Sequence, residues 1–348
     1  MGVLKLQQRK ASDLPTCALT RAIEQYMNED LQRMGKVARN VVVRLVSNKS
    51  YSYHVMGEMK ERYGDGYPDS FPYQSKLLLA FQTIEHRDVL CFGMYVQEYG
   101  SHCPQPNTNR TYISYLDSVP YMETQPEGER TAVYHGIING YLKHACAMGF
   151  EYAHIWVAPP QSGDEYIFHC RPMHPKHGHK AMSMQKLRSW YEALLLKAKK
   201  FPLFYGDFFP EEIKKLLKGE EVIRNLPLPA SLYSLSRPHR NGELHRNTSI
   251  SLVKQMQKRA REVRRRFLVA RLNTENASRI SASSEDSLLS FSEGETFVDG
   301  REPAFSCHLA DSRLSFLQSC ISRHWQFNEL RRAHYSTMMI LAEIGGAA

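Results

Sequence analysis

The stretch HIWVAPPQSGDEYIFHC, residues 154–170, decides how this chain is read. Two short apolar runs flank the Pro159-Pro160 turn, so the stretch predicts strands at 152–158 and 164–169. His154, His169 and Cys170 sit near that turn, and His174, His177 and His179 follow. A zinc site asks for several ligands at fixed geometry, in patterns such as CxxC or HExxH. Neither pattern is present, and the later histidines share a loop with Pro175 and Gly178. The reading is therefore no metal. Trp156 closes the first apolar run, and MQKLRSWYEALL (184–195) opens a helix that carries Trp190 and Tyr191. By composition alone such aromatics are core or interface residues, and an apolar pocket is one use of them.

Outward from that stretch, the pattern alternates. Leu19, Ile23, Met27, Leu31 and Met34 form one helical stripe over 19–34. Strand-like runs follow in VARNVVVRLV, LLLAFQTI, DVLCFGMYVQEY and RTYISYL. Residues 131–148 predict a helix with Val133, Ile137, Ile138, Tyr141 and Ala145 inward and Gly149 as its stop. A further helix is expected at 184–199, a basic helix at 250–265, a strand in FLVARL, and closing helices near 311–322 and 326–343. Strands first, then helix and strand in turn, give an α/β layer fold. Residues 219–249 read as loop, and 273–298 as a Ser-rich flexible insert.

The chain has 348 residues, 42% hydrophobic and 11% aromatic, enough for one large domain or two ordinary ones. No apolar run is long enough for a membrane-spanning helix, and MGVLKLQQRK lacks the apolar core of a signal peptide. Leu6 stands where a myristoylation signal wants Ser or Thr. The seven cysteines are scattered without a CxxC pair, the usage of reduced thiols in cytosol or nucleus. The net charge of +9 is local: residues 237–271 hold eleven Lys/Arg against Glu243 and Glu262, which leaves the rest neutral. Such a segment reads as a contact for nucleic acid or an acidic protein, or as a solvated helix face. The P-loop, GxGxxG and GxSxG signatures are absent.

Several long motifs in order carry a resemblance. YISYLDSV (112–119), RTAVYHGI (130–137), HIWVAPPQSGDEYIFHC (154–170) and LRSWYEALL (187–195) together resemble the lysine acetyltransferase domain of the CREB-binding-protein (CBP) family. SFPYQSKLLLAF, CFGMYVQEYGSHCP, YGDFFPEEIKKL, CHLADSRLSF and FNELRRAHYSTMMILAEI extend it. The resemblance implies an N-terminal tail over 1–17 and a single α/β acetyltransferase domain over 18–345, with a central mixed β-sheet flanked by helices. It implies acetyl-CoA as co-substrate, with histones or other nuclear proteins as acceptors. A transcription-coactivator role in the nucleus follows, with transcription factors as further partners and no membrane.

Carried over motif by motif, the resemblance assigns Arg130 and Thr131 to the nucleotide phosphates. Asp117 and Ser118 take the pantetheine and pyrophosphate, Leu116 and Trp190 pack along the cofactor, and Lys186 grips pyrophosphate. Trp156 and Tyr115 line the tunnel for the acceptor lysine. Tyr191 is the general acid that protonates the leaving thiolate, as a phenol protonated at neutral pH can. Ser75 and Asp311 fall on the acceptor side. Read without the motifs, Arg130 is a surface arginine, Thr131 a helix cap and Asp117-Ser118 a turn.

Departures from the family pattern also bear on function. Lys186 replaces an arginine, which keeps charge and loses the bidentate fork. Ala158 replaces a cysteine, and the loop before Lys186 is longer. On the acceptor side, Tyr205 and Leu314 stand where the family has acids, so only Asp311 remains, and altered selection of histone tails is expected. The stretch before FYGDFF is shortened. Residues 219–253, in the place of a lysine-rich autoregulatory loop, hold no lysine, so switching by autoacetylation is expected to be lost. The resemblance covers the catalytic domain, which the family flanks with a bromodomain and zinc modules. The alternative reading is a weak or inactive relative that binds acetyl-CoA or proteins; a third is DNA contact through Lys254–Arg271.

Overall fold

A computed structural model describes residues 9–54, 68–105, 107–159, 164–170, 182–197, 203–206, 266–272 and 302–346. The chain's apolar runs pair into one seven-stranded mixed sheet. Strands β1 (Val41–His54), β2 (Ser70–Ile84), β3 (Arg87–Tyr99) and β4 (Arg110–Ser118) form an antiparallel meander. Helix α1 (Ala18–Arg33) precedes it, and α2 (Arg130–Ala147) crosses over to β5 (Tyr152–Trp156), which pairs parallel to β4. Helix α3 (Met184–Lys197) follows, then β6 (Leu203–Gly206) and β7 (Phe267–Leu272), in the order β1-β2-β3-β4-β5-β7-β6. Helices α4 (Arg313–Ser322) and α5 (Leu330–Gly346) come last.

β3 and the second half of β2, from Lys76 on, are buried along nearly their whole length, which is why they read as continuous apolar runs rather than alternating ones. Leu19, Ile23, Met27 and Leu31 of α1 and Val133, Ile137, Ile138, Tyr141 and Ala145 of α2 are all core, while Met34, expected in the first stripe, caps α1 and is only partly buried. Gly149 ends α2 at φ +83, the left-handed stop that glycine tolerates. Gly140 has a different reason. A Cβ there would lie 2.9 Å from the Ile23 backbone, so the glycine lets α1 and α2 touch. Helix α5 is tied to the meander by the Thr337 hydroxyl, which accepts from Leu90 N–H at 2.8 Å.

A buried ionic group joins the two ends of the chain. Lys76 lies 2.6 Å from Glu98 and 3.1 Å from Glu302, while Glu302 also accepts from Leu19 N–H. Two acids on one lysine satisfy a charge that burial alone would penalise. Phe305 and Asn48 then exchange backbone hydrogen bonds, which seats the following segment on the outer edge of β1.

Three expectations change. Residues 164–170 form no strand: β5 is flanked by β4 and β7, and the segment's N–H groups go to side chains instead. His169 therefore lies on no strand. Asp117 and Ser118 are the last residues of β4 rather than a separate turn. The closing helix starts at Leu330, not 326, and runs to Gly346. The expected basic helix at 250–265, the loop at 219–249 and the Ser-rich insert lie outside the described residues, and so does the tail apart from residues 9–17.

Candidate active site

The candidate residues gather toward the C-terminal ends of the parallel strands β4 and β5. Tyr115 stands on β4, exposed, opposite Tyr95 of β3 at a register shift. Trp156 ends β5, half-buried and edge-on to Phe267 at 4.9 Å, with the Arg266 guanidinium 5.7 Å from its ring. On α3, Trp190 and Tyr191 pack edge to face at 5.0 Å.

Tyr166 links these groups, and the sequence reading missed it. Its ring lies 6.3 Å from Tyr115, and its hydroxyl donates to Ala158 O at 2.9 Å, two residues beyond Trp156. Burial first, then the neighbouring phenol of Tyr166, raises the Tyr191 hydroxyl well above its ordinary value. Burial also pushes Tyr166 itself up to about 12. Both phenols therefore hold their protons at neutral pH. No group among the described residues hydrogen-bonds to the Tyr191 hydroxyl, so its proton remains available. The only signal for Tyr166 in the sequence was its place in the 154–170 stretch.

Tyr166 sits on a segment without regular structure that side chains hold in place. Asp117 Oδ2 accepts from Ile167 N–H and Phe168 N–H, each at 2.9 Å. Glu165 binds His169 Nδ1 at 2.8 Å and accepts from Cys170 N–H. Arg313 of α4 donates to Glu165 O and Tyr166 O. Gly93 of β3 makes room beneath, where a Cβ would lie 3.3 Å from Ile167 Cδ1. Burial pushes the Asp117 carboxyl up to about 6, against the downward pull of its three backbone N–H donors. The structure thus gives Asp117 a bracing contact that the motif did not announce.

The groups expected to meet acetyl-CoA line the same end of the sheet. Arg130 and Thr131 form the first turn of α2, whose N-cap Glu129 makes no side-chain cap and pairs instead with Lys36 at 2.6 Å. An uncapped helix start with a hydroxyl and a guanidinium suits an anionic phosphate. Arg130 already donates one bond, to Pro120 O at 2.6 Å. Ser118 is exposed at the end of β4, and Leu116 packs partly against the core. Lys186 is exposed in the first turn of α3. Trp190 meets His135 of α2 edge-on at 4.5 Å, a contact the sequence did not suggest. Burial holds that imidazole down at about 3, with Lys197 adding to the effect, so it is neutral. These residues fit an elongated anionic thioester.

On the acceptor side, Ser75 pairs across β2 with Lys49 of β1. Asp311 lies beside them, but its carboxylate is already engaged. It accepts from Ser47 at 2.9 Å, Cys307 N–H at 2.7 Å, Lys49 at 2.9 Å and Ser306. Burial would raise its carboxyl, yet these donors hold it down at about 2. Among the described residues there is no group of three or more His, Cys, Asp or Glu arranged for a metal. The basic segment 237–271 falls outside the described residues except for 266–271.

Fold and site together define a single α/β domain with an aromatic cluster and an uncapped helix start suited to phosphate. The chain matches the model of the histone acetyltransferase domain KAT3 over residues 27–200, and it belongs to that family. It is 30% identical to protein cbp-1 of Caenorhabditis elegans, over 95% of this chain and 18% of that protein. It is also 30% identical to a probable histone acetyltransferase HAC-like 3 of Oryza sativa, over 95% of this chain and 33% of the relative. The chain thus spans a third or less of these relatives' length. Among solved structures, Rtt109 from Aspergillus fumigatus aligns with 92% of this chain and 95% of its own at 13% identity and a TM-score of 0.47. The resemblance drawn from the motifs is borne out.

Proposed function

We propose that the chain is a protein lysine acetyltransferase, with its catalytic domain over 18–345 and histones or other nuclear proteins as acceptors in the nucleus. One observation carries the reading: Tyr166 meets the Tyr115 ring and bonds the end of the Trp156 strand, and its phenol is near enough to raise that of Tyr191. Acetyl-CoA supplies the acetyl group as a thioester, whose sulfur leaves needing a proton. Arg130, Thr131, Ser118 and Lys186 hold its phosphates and arm, while Leu116 and Trp190 flank it.

The acceptor lysine must be neutral to attack, although its free pKa is about 10.4. The walls of Tyr115, Trp156 and Tyr166 disfavour the ammonium by desolvation, opposed by cation–π attraction. Tyr191 gives the sulfur its proton, a role that the raised phenol and its unengaged hydroxyl support. Most of the rate comes from holding the two reactants together. Cys170 has no part in this reading as a nucleophile.

The test is transfer of labelled acetyl from acetyl-CoA to histone H3 and H4 peptides, with Tyr191→Phe beside the parent chain. Transfer that collapses in the variant supports the proposal. Tight acetyl-CoA binding without transfer to any histone or non-histone peptide would replace it with a binding protein.

A further inference from the structure

Charge on the acceptor side runs opposite to what a basic tail requires. The Asp311 carboxylate, only 8% exposed, is turned inward onto protein donors. Beside it the Lys49 side chain is 39% exposed, and its ammonium gives Asp311 one of its three N–H bonds. Two residues further on, Arg313 lies over the exposed Tyr115 ring at 4.5 Å. Its Nη1 donates to Glu165 O and Tyr166 O, and no group among the described residues accepts from Nε or Nη2. That remaining edge of a guanidinium grips a carboxylate through two parallel bonds.

Two acids lie nearby. Glu165 faces His169 and Cys170, and Asp164 lies exposed near the Tyr166 phenol with contacts of its own. Leu314 follows Arg313 and is 55% exposed, so an apolar side chain stands at the rim. Ser47, Leu77, Tyr95 and Tyr115 lie in one row across the sheet, and the segment bearing Asp311 and Arg313 runs over it. Lys49, Arg313 and the crevice thus share one face.

We infer that Arg313 and Lys49 form a carboxylate-recognising rim, so that the chain prefers acceptor lysines flanked by Asp or Glu over lysines flanked by Lys or Arg. The inference rests on the acetyl-transfer reading above. Arg313 braces Tyr166 from inside and meets the peptide's carboxylate outside, while Lys49 extends the positive field along β1. Neighbouring acids on the acceptor then gain a charge-assisted bond, and neighbouring bases meet repulsion.

The experiment uses the full chain and three peptides of equal length with one lysine, flanked by Glu, by Gln or by Arg. The Glu-flanked peptide is expected to exceed the Arg-flanked one about tenfold in kcat/KM, a single charge-assisted bond's worth. In about 1 M salt, where charges are screened beyond about 3 Å, the gap should shrink. Leu314→Asp and Lys49→Glu are expected to close or invert it without touching the Arg313 ties to Tyr166; thermal melts check that both variants fold. Equal or better use of the Arg-flanked peptide overturns the rim and leaves acetyl transfer standing. A gap unmoved by both folded variants also overturns it. No transfer to any of the three, with acetyl-CoA still bound, overturns transfer and the rim together.

Discussion

The β2–β3 hairpin and the segment 164–170 are neighbours held by opposite means. The hairpin is a ladder: the two strands pair from Gln74 with Glu98 to Ile84 with Arg87. Its turn residues Glu85 and His86 both take positive φ, 48 and 65, the form whose twist matches a tight hairpin. Its own register is set within thirty residues of sequence, and β1, β4 and α5 then pack around it. The segment has no ladder. Its backbone is bound by Asp117 on β4, Arg313 on α4 and Phe327 N–H, which donates to His169 O at 2.9 Å. It takes shape only once distant elements have assembled, and it is the one that carries Tyr166.

Four changes would break or sharpen this contrast. Phe81→Ala removes a fully buried ring from the hairpin and should cost about 3–5 kcal/mol of unfolding free energy, seen in denaturant melts. The loss should be global, with every protected amide exchanging faster. Tyr191→Phe should lower turnover about 100-fold or more, roughly 2.7 kcal/mol in the barrier, while the melt barely moves. A stable variant with unchanged turnover would remove Tyr191 from the acid role.

Asp117→Ala leaves the Ile167 and Phe168 N–H groups without their acceptor, at about 1–3 kcal/mol. Hydrogen exchange should speed up at these two amides while β2 and β3 stay protected. Uniform acceleration across the sheet would show that segment and hairpin unfold as one unit. The smallest effect is in acid. The Asp311 carboxyl sits at about 2 in the fold against an ordinary 3.8. A folded value below the unfolded one gives stability that is full above about pH 4 and fades as pH falls toward about 2. Asp311→Asn should flatten that slope in melts between pH 2 and 6.

The same contrast explains what could be read beforehand. The stripes of α1 and α2, the four meander strands and the stop at Gly149 follow from local periodicity and backbone preference, and all stand in the structure. Periodicity failed at 164–169. YIFH has the apolar content of a strand, yet strand formation also needs a partner edge, and β4 and β7 occupy both edges of β5. Asp311 illustrates a second kind of failure. Its chemistry was legible, but its availability was set by Ser47 and Lys49, close to it only in the fold, and by Ser306 and Cys307, brought to it by a tight local turn.

The sequence by itself determined the α/β layer order, the core faces of the helices and, through its long motifs, the acetyltransferase family. Each is written in residue types and spacings along a single segment. Only the tertiary structure decided that Tyr166 joins Tyr115 and Tyr191 and that Asp117 braces the segment bearing it. It also decided that the Asp311 carboxylate is engaged by protein donors while the Lys49 side chain beside it stays partly exposed. Those outcomes depend on hydrogen bonds and burial between residues far apart in the chain, and such contacts leave no period in the sequence.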